Sequence, residues 1–221
     1  MRRFQDRHHA GAILAGELAE YAGRSDVIVL ALPRGGVPVA YEVAAALAAP
    51  LDVFVVRKLG APQHEELAIG ALASGGICVI DRGIIEYLRI SESQIASIIE
   101  RETLELERRD QLYRGTRPFP DLTGQVVIVV DDGLATGATM RVAVKALRER
   151  RPARVIAAAP VASAEACATL SEAADSCVYV ASPEPFYGVG RWYEDFSQTT
   201  DREVIALLDR AARRDARVTV G

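Results

Sequence analysis

Val126-Val127-Ile128-Val129-Val130 is an unbroken run of five β-branched residues. Side chains alternate across a strand, so a run of this kind is a strand covered on both faces. That narrows the architecture to a mostly parallel sheet with helices on either side. The rest of the chain follows the same plan. Apolar, β-rich runs recur at 26–32, 51–57, 77–81, 126–131, 154–160 and 176–181, with helical patterns at about 8–22, 37–49, 83–113, 138–150 and 163–173. The expected fold class is α/β, a doubly wound, mostly parallel sheet flanked by helices. No repeat, low-complexity tract or long linker divides the 221 residues, so a single domain over 1–221 is expected.

The run ends in two adjacent carboxylates, Asp131 and Asp132, followed by Gly133-Leu134-Ala135-Thr136-Gly137-Ala138-Thr139. Gly133 and Gly137 allow backbone conformations and close approaches that a Cβ would block. Thr136 and Thr139 offer hydroxyl groups, and a helix opening near Ala138 adds free N–H groups and a positive dipole end. A turn of this composition is suited to hold a phosphate. The two acids are on hand for sugar hydroxyls or, through a ligand's phosphates, for a hard cation. The plainer reading is an ordinary strand-to-helix turn with Asp as the cap. A Walker A loop is excluded, because it needs Lys after its second Gly and has no acid pair in front.

Apolar run, acid pair and a loop ending Thr-Gly-x-Thr together resemble the 5-phosphoribosyl-1-pyrophosphate (PRPP) signature of type I phosphoribosyltransferases. The sequence departs from that pattern at Ala135, where the family usually has Ser or Thr, implying one side-chain contact fewer to the phosphate. Two further loops fit the resemblance. After the run at 26–32 comes Pro33-Arg34-Gly35-Gly36-Val37-Pro38, which taken alone could be only a tight turn. Beside the first loop it is similar to the family's pyrophosphate loop, with Arg34, Gly35 and Gly36 on the diphosphate.

After 51–57, the polar stretch from Arg57 and Lys58 to Gly70 reads as a mobile loop, similar to the family's flexible loop that closes over substrate. The resemblance implies Lys58 near the departing diphosphate. Both cations could equally be surface charges ending a strand, and exposure to solvent is the plainer reading of His64. The aromatic-rich stretch Pro185–Phe196 resembles the hood of hypoxanthine-guanine phosphoribosyltransferases, with Phe186 and Trp192 as candidate base-binding rings. Its register differs, since Tyr187-Gly188 intervenes before Val189-Gly190, and a small apolar cluster under a loop is the alternative.

These resemblances span about 26–73 and 124–196. They imply a type I phosphoribosyltransferase-like fold with a small hood at about 182–200 and an insert at about 74–122 that carries a helix. The insert's charged stretch, 83–113, has a partly apolar side at Ile95, Ile98, Ile99, Leu104 and Leu106. It reads as a solvated helix on the domain edge, or as a cover or dimer contact. The implied activity is transfer of ribose 5-phosphate from PRPP to a nitrogen acceptor, a purine-type nucleobase or an amine, in nucleotide metabolism. Mg²⁺ is the implied cofactor, carried mainly by substrate oxygens, with Asp131 and Asp132 reaching it through water. Asp131, Asp132 and Lys58 are the implied catalytic residues. Two rivals stand beside this: a non-catalytic PRPP-binding regulator, and a hydrolase using the same site.

Lys and Arg total 26 against 30 Asp and Glu, a net charge of −4, which argues against nucleic acid or an anionic membrane as the main partner. No apolar run reaches the length of a membrane span, and the charged start MRRFQDRHHAGAIL lacks a signal-peptide core. Cys78, Cys167 and Cys177 lack metal or disulfide spacing and read as reduced core thiols. A cytoplasmic location and a homodimer, the commonest assembly of soluble enzymes, are the default expectations.

Overall fold

A computed structural model describes residues 3–62 and 64–219. Gln63, in the stretch expected to be mobile, lies outside the described residues, as do the side chains of Glu65 and Glu66. The elements in chain order are α1 (Arg7–Glu17), β1 (Val27–Ala31), α2 (Gly36–Leu47), β2 (Leu51–Val53), β3 (Val56–Ala61), β4 (His64–Ala73), β5 (Ile77–Ile80), α3 (Arg82–Leu88), α4 (Glu92–Arg114), β6 (Val126–Val130), α5 (Ala138–Arg148), β7 (Arg154–Val161), α6 (Ala164–Ser171), β8 (Ser176–Ala181) and α7 (Asp201–Thr219).

Five strands form a parallel sheet in the order β2-β1-β6-β7-β8. The run at 126–130 is its middle strand and is buried throughout, as five β-branched residues require. Alternate residues of β1 and β6 divide between two cores. Val27, Val29, Ala31, Val126, Ile128 and Val130 meet α1, α2 and α7, whereas Ile28, Leu30, Val127 and Val129 meet α5 and α6. From β1 the chain crosses through α2 to β2 on one side, and from β6 through α5 to β7 on the other. The order therefore reverses between β1 and β6, whose ends are in register at Ala31 and Val130. Such a switch point opens a crevice at the carboxyl ends of the strands.

The expectations for two segments need correction. The run at 51–57 is two strands: β2 ends at Val53, and β3 starts an antiparallel sheet of order β3-β4-β5. The stretch expected as a mobile loop is thus mostly a paired hairpin, and 77–81 belongs to this second sheet. Pairing won because Leu59, Ile69 and Leu72 bury one face against α4 residues Ile98 and Leu106. The single helix expected at 83–113 is two. Arg89 adopts a left-handed conformation, and Ser91 with Gln94 forms a capping box that restarts the chain as α4.

Helix α4 is anchored at its far end. Buried Arg114 bonds the Asp52 carboxylate at 3.1 Å and donates to the Val53 carbonyl at 2.7 Å. Leu104, expected on its apolar side, is 64% exposed. All three cysteines are free, but Cys78 is exposed and not a core thiol. Among the described residues no helix is long and apolar enough to cross a membrane.

Candidate active site

The loops after β1 and β6 meet at the switch point. Asp131 and Asp132 follow β6 directly, and the Asp132 N–H donates to Asp131 Oδ1 at 2.8 Å. Gly137, left-handed at φ +68°, turns the chain into α5. A Cβ there would sit 3.3 Å from the Ala166 methyl, so both conformation and space favour glycine. The Thr136 hydroxyl accepts from the Ala138 N–H at 3.3 Å, which shapes the loop around the start of the helix. Asp131, residues 133–140 and Val189 line a cleft of about 190 Å³. Small side chains and a helix N-terminus leave its N–H groups available to an anion.

A neighbouring turn holds this loop from below. The Leu134 N–H donates to the Val161 carbonyl at 2.9 Å, and the Ser163 N–H to the Leu134 carbonyl at 2.8 Å. The Ser163 hydroxyl donates to the Ala135 carbonyl at 2.5 Å and accepts from the Ala166 N–H at 3.0 Å, capping α6. One buried hydroxyl thus fixes both a helix start and the phosphate-type loop. Ser163→Ala is expected to cost about 1–2 kcal/mol in denaturant unfolding. A loss within error of zero would show that the loop holds its shape without it.

The Pro33–Gly36 turn packs directly on the acid pair. Its Pro33–Arg34 peptide is cis. A Cβ on Gly35 would overlap the Asp132 carboxylate. A Cβ on Gly36 would lie 2.6 Å from the Val130 carbonyl oxygen and 3.0 Å from Asp131 Cα. Glycine is required at both positions for space, not for an unusual φ.

Asp132 is enclosed. Arg7 donates through Nε to Asp132 Oδ2 at 2.8 Å, and its Nη2 lies 2.8 Å from the same oxygen. The guanidinium also donates to the Ser197 carbonyl at 2.7 Å and stacks 4.0 Å from the centre of the Phe196 ring. Tyr193 donates its hydroxyl to the Asp132 carbonyl at 2.6 Å. Burial and the nearby Asp132 charge push the Tyr193 phenol far up, so it remains a donor. Burial, reinforced by the charge of Asp132, raises the Asp131 carboxyl well above the usual carboxylate range.

The remaining candidates sit further out. Arg34 reaches an ion-pair distance of 3.8 Å from Asp201, at the start of α7. Arg57 is engaged by Glu102 of α4 through two guanidinium nitrogens. Lys58 is exposed on β3 opposite Ala71, and His64 is exposed at the start of β4. Phe186 and Trp192 are half-buried against a small cluster of Phe4, Ala10, Val161 and Tyr193, while Tyr187 beside them is 76% exposed.

Gly35, Gly36 and residues 131–139 therefore form one constellation; Arg57 and Lys58 lie on the antiparallel sheet, and the two aromatics lie in a satellite core. Sequence reasoning missed Arg7, Ser163 and Tyr193. Arg7 is 125 positions from its partner and sits in a run of charges that reads as surface. Ser163 could have been found as a cap ahead of the helical pattern that begins at 163.

The chain matches the family model for the phosphoribosyl transferase domain over residues 5–182. Rv0571c of Mycobacterium tuberculosis, a phosphoribosyl transferase by name, is 43% identical over 213 residues, which is 96% of this chain and 48% of that protein. The chain spans about half the length of the curated relatives it matches there. The crystal structure of TT1426 from Thermus thermophilus is 43% identical with a TM-score of 0.84, covering 94% of this chain and 98% of that one. The bifunctional protein PyrR of Brevibacillus brevis is 30% identical over 97 residues, 42% of this chain and 54% of the relative.

Proposed function

Because the chain belongs to the phosphoribosyl transferase domain family, we propose that it transfers ribose 5-phosphate from PRPP to a nitrogen acceptor, a purine-type nucleobase, and releases diphosphate. The observation that carries this reading is the cleft at the switch point, where a half-buried carboxylate, Asp131, adjoins a loop of small residues at a helix N-terminus.

Departure of diphosphate from the anomeric carbon leaves an oxocarbenium-like centre, so no covalent nucleophile is needed. Catalysis is then positioning and electrostatics. The N–H groups of the 133–139 loop other than those of Leu134 and Ala138 hold the 5-phosphate, and Asp131 orients the ribose hydroxyls. The turn at Gly35 and Gly36 packs on the acid pair, and Arg34 at its edge supplies charge for the diphosphate. Lys58 would come to the diphosphate from the antiparallel sheet, and the ring of Tyr187, with the Arg191 guanidinium 5.9 Å from its centre, offers a face to a planar acceptor.

Among the described residues no three His, Cys, Asp or Glu side chains gather into a metal cage. The donor set, one cleft-lining carboxylate beside a polyanionic substrate, fits Mg²⁺ kept largely hydrated and held by substrate oxygens, with Asp131 in contact through water. When bound, the ion neutralises charge on the departing diphosphate.

The deciding experiment measures diphosphate release from PRPP with Mg²⁺ across a panel of bases and amines. Release that requires a base supports the transferase. Release without an acceptor would make the protein a hydrolase, and binding without release a PRPP-responsive regulator.

A further inference from the structure

We propose that the two adjacent aspartates have separate duties: Asp131 alone faces the ligand, and Asp132, clamped by Arg7, locks three chain segments into one rim around the ribose position. This rests on the phosphoribosyltransferase reading and assigns Arg7 as a positioning residue. The first observation is that Asp131 lines the cleft together with the phosphate-type loop, and Asp132 does not. The second is how much of Asp132 is occupied. Its Oδ2 meets two guanidinium nitrogens, its carbonyl takes the Tyr193 hydroxyl, and its N–H is used on Asp131. The Gly35 backbone crowds that same Oδ2, since even a methyl there would overlap it.

The clamp ties the acid pair to segments that lie outside every named strand. Arg7 opens α1, just after a segment stitched to the 192–195 stretch. Phe4 donates to the Trp192 carbonyl, Glu194 to the Phe4 carbonyl and Asp195 to the Gln5 carbonyl, each at 2.8 Å. Arg7 itself adds the Ser197 carbonyl and the Phe196 ring. The N-terminal segment, the 192–197 segment and the Gly35–Gly36 turn thus converge on one carboxylate. Side-chain exposures of 11% for Arg7 and 16% for Asp132 shield the pair from solvent. A planar fork on a carboxylate with a ring beneath it is a geometry that Lys cannot reproduce. The inferred consequence is directional. Losing the clamp frees Asp132 to swing, and Asp131, tied to it by the Asp132 N–H, loses its aim at the ribose.

The test uses the full chain and four variants: Asp131→Asn, Asp132→Asn, Arg7→Ala and the Arg7→Ala/Asp132→Asn double. In diphosphate release from PRPP, Arg7→Ala is expected to lose roughly tenfold in kcat with little change in KM, because misplacement acts on the oriented state. Guanidinium ion at sub-denaturing concentration should restore part of that loss in Arg7→Ala, but none in the double variant. The double should be no slower than the worse single. If Asp132→Asn is as inactive as Asp131→Asn while Arg7→Ala runs at the wild-type rate, Asp132 is itself a ligand and the proposal is wrong. A wild-type protein that neither binds nor cleaves PRPP would overturn the transferase reading instead. The clamp would still be decided by thermal unfolding. There Arg7→Ala and Asp132→Asn should each lower Tm by roughly 5–10 °C and their double no further, whereas additive losses would refute it.

Discussion

Replacing Asp131 by Asn is expected to reduce diphosphate release from PRPP by roughly 10²–10³-fold while making the protein more stable at neutral pH. The two effects share a cause. Asn is nearly isosteric, and its amide oxygen still accepts the Asp132 N–H that now reaches Asp131 Oδ1. What disappears is a negative charge held in a half-buried place beside another carboxylate. The folded-state pKa of Asp131 lies above its unfolded value of 3.8, raised first by burial and then by Asp132. A carboxyl shifted in that direction binds its proton more tightly in the folded protein. Its contribution to stability is therefore intact at low pH and is lost as pH rises through the folded pKa. As pH rises above 3.8 the wild type bears a growing cost for this group, and the variant bears none. The expected result is a Tm about 2–6 °C above wild type at pH 8, with the difference closing as pH is lowered toward 4. Scanning calorimetry at the two pH values, paired with a diphosphate assay, reads both halves. A variant that is inactive and also less stable at pH 8 would make Asp131 a structural residue and leave the chemistry unassigned.

The sequence displayed the parts of this arrangement that depend on short stretches. Residues 126–130 could only be a strand covered on both faces, and the acids with the Gly-Thr loop behind them announced a phosphate-type turn. Their meeting with Gly35 and Gly36 followed from a general property of parallel sheets, that loops after adjacent strands share one edge. What was not legible depends on partners distant in sequence. Nothing in Arg57-Lys58-Leu59-Gly60 or in Leu67-Ala68-Ile69-Gly70 says strand, because neither is rich in β-branched residues. They pair because α4 offers Ile98 and Leu106 to their buried face. That same pairing draws Arg57 to Glu102. The break between α3 and α4 was within reach, since Ser91 and Gln94 spell a capping box. Arg7 was not, because an arginine among charges carries no mark of a partner 125 positions away. Phe186 and Trp192 show the ambiguity of aromatics. The composition that suits base stacking also suits a small core, and here both rings pack against that core.

Gly36→Ala is expected to lose about 2–3 kcal/mol of stability and most PRPP-dependent turnover, although alanine is the better helix former. Gly36 is the first residue of α2 and has no left-handed φ, so conformational freedom is not what it provides. In an open helix, Gly→Ala gains about 0.5–1 kcal/mol. Here the new methyl would meet the Val130 carbonyl oxygen at 2.6 Å and Asp131 Cα at 3.0 Å. Both atoms belong to the backbone at the end of the sheet's middle strand, held between β1 and β7, and neither can rotate aside as a side chain would. Relief must come from separating α2 and its preceding turn from the acid pair. That moves Gly35 away from Asp132 and opens the crevice where the diphosphate is proposed to lie. Gly16→Ala supplies the internal control, because it lies in α1 and a Cβ there meets nothing within 4 Å. It should stabilise by about 0.5–1 kcal/mol with turnover unchanged, so one substitution chemistry gives opposite signs at two helical sites. Urea denaturation of both variants reads the stability terms, and diphosphate release reads the crevice. If Gly36→Ala matched Gly16→Ala on both measures, the close approach of the glycine turn to the acid pair would not exist, and with it would go the geometric basis for placing the diphosphate there.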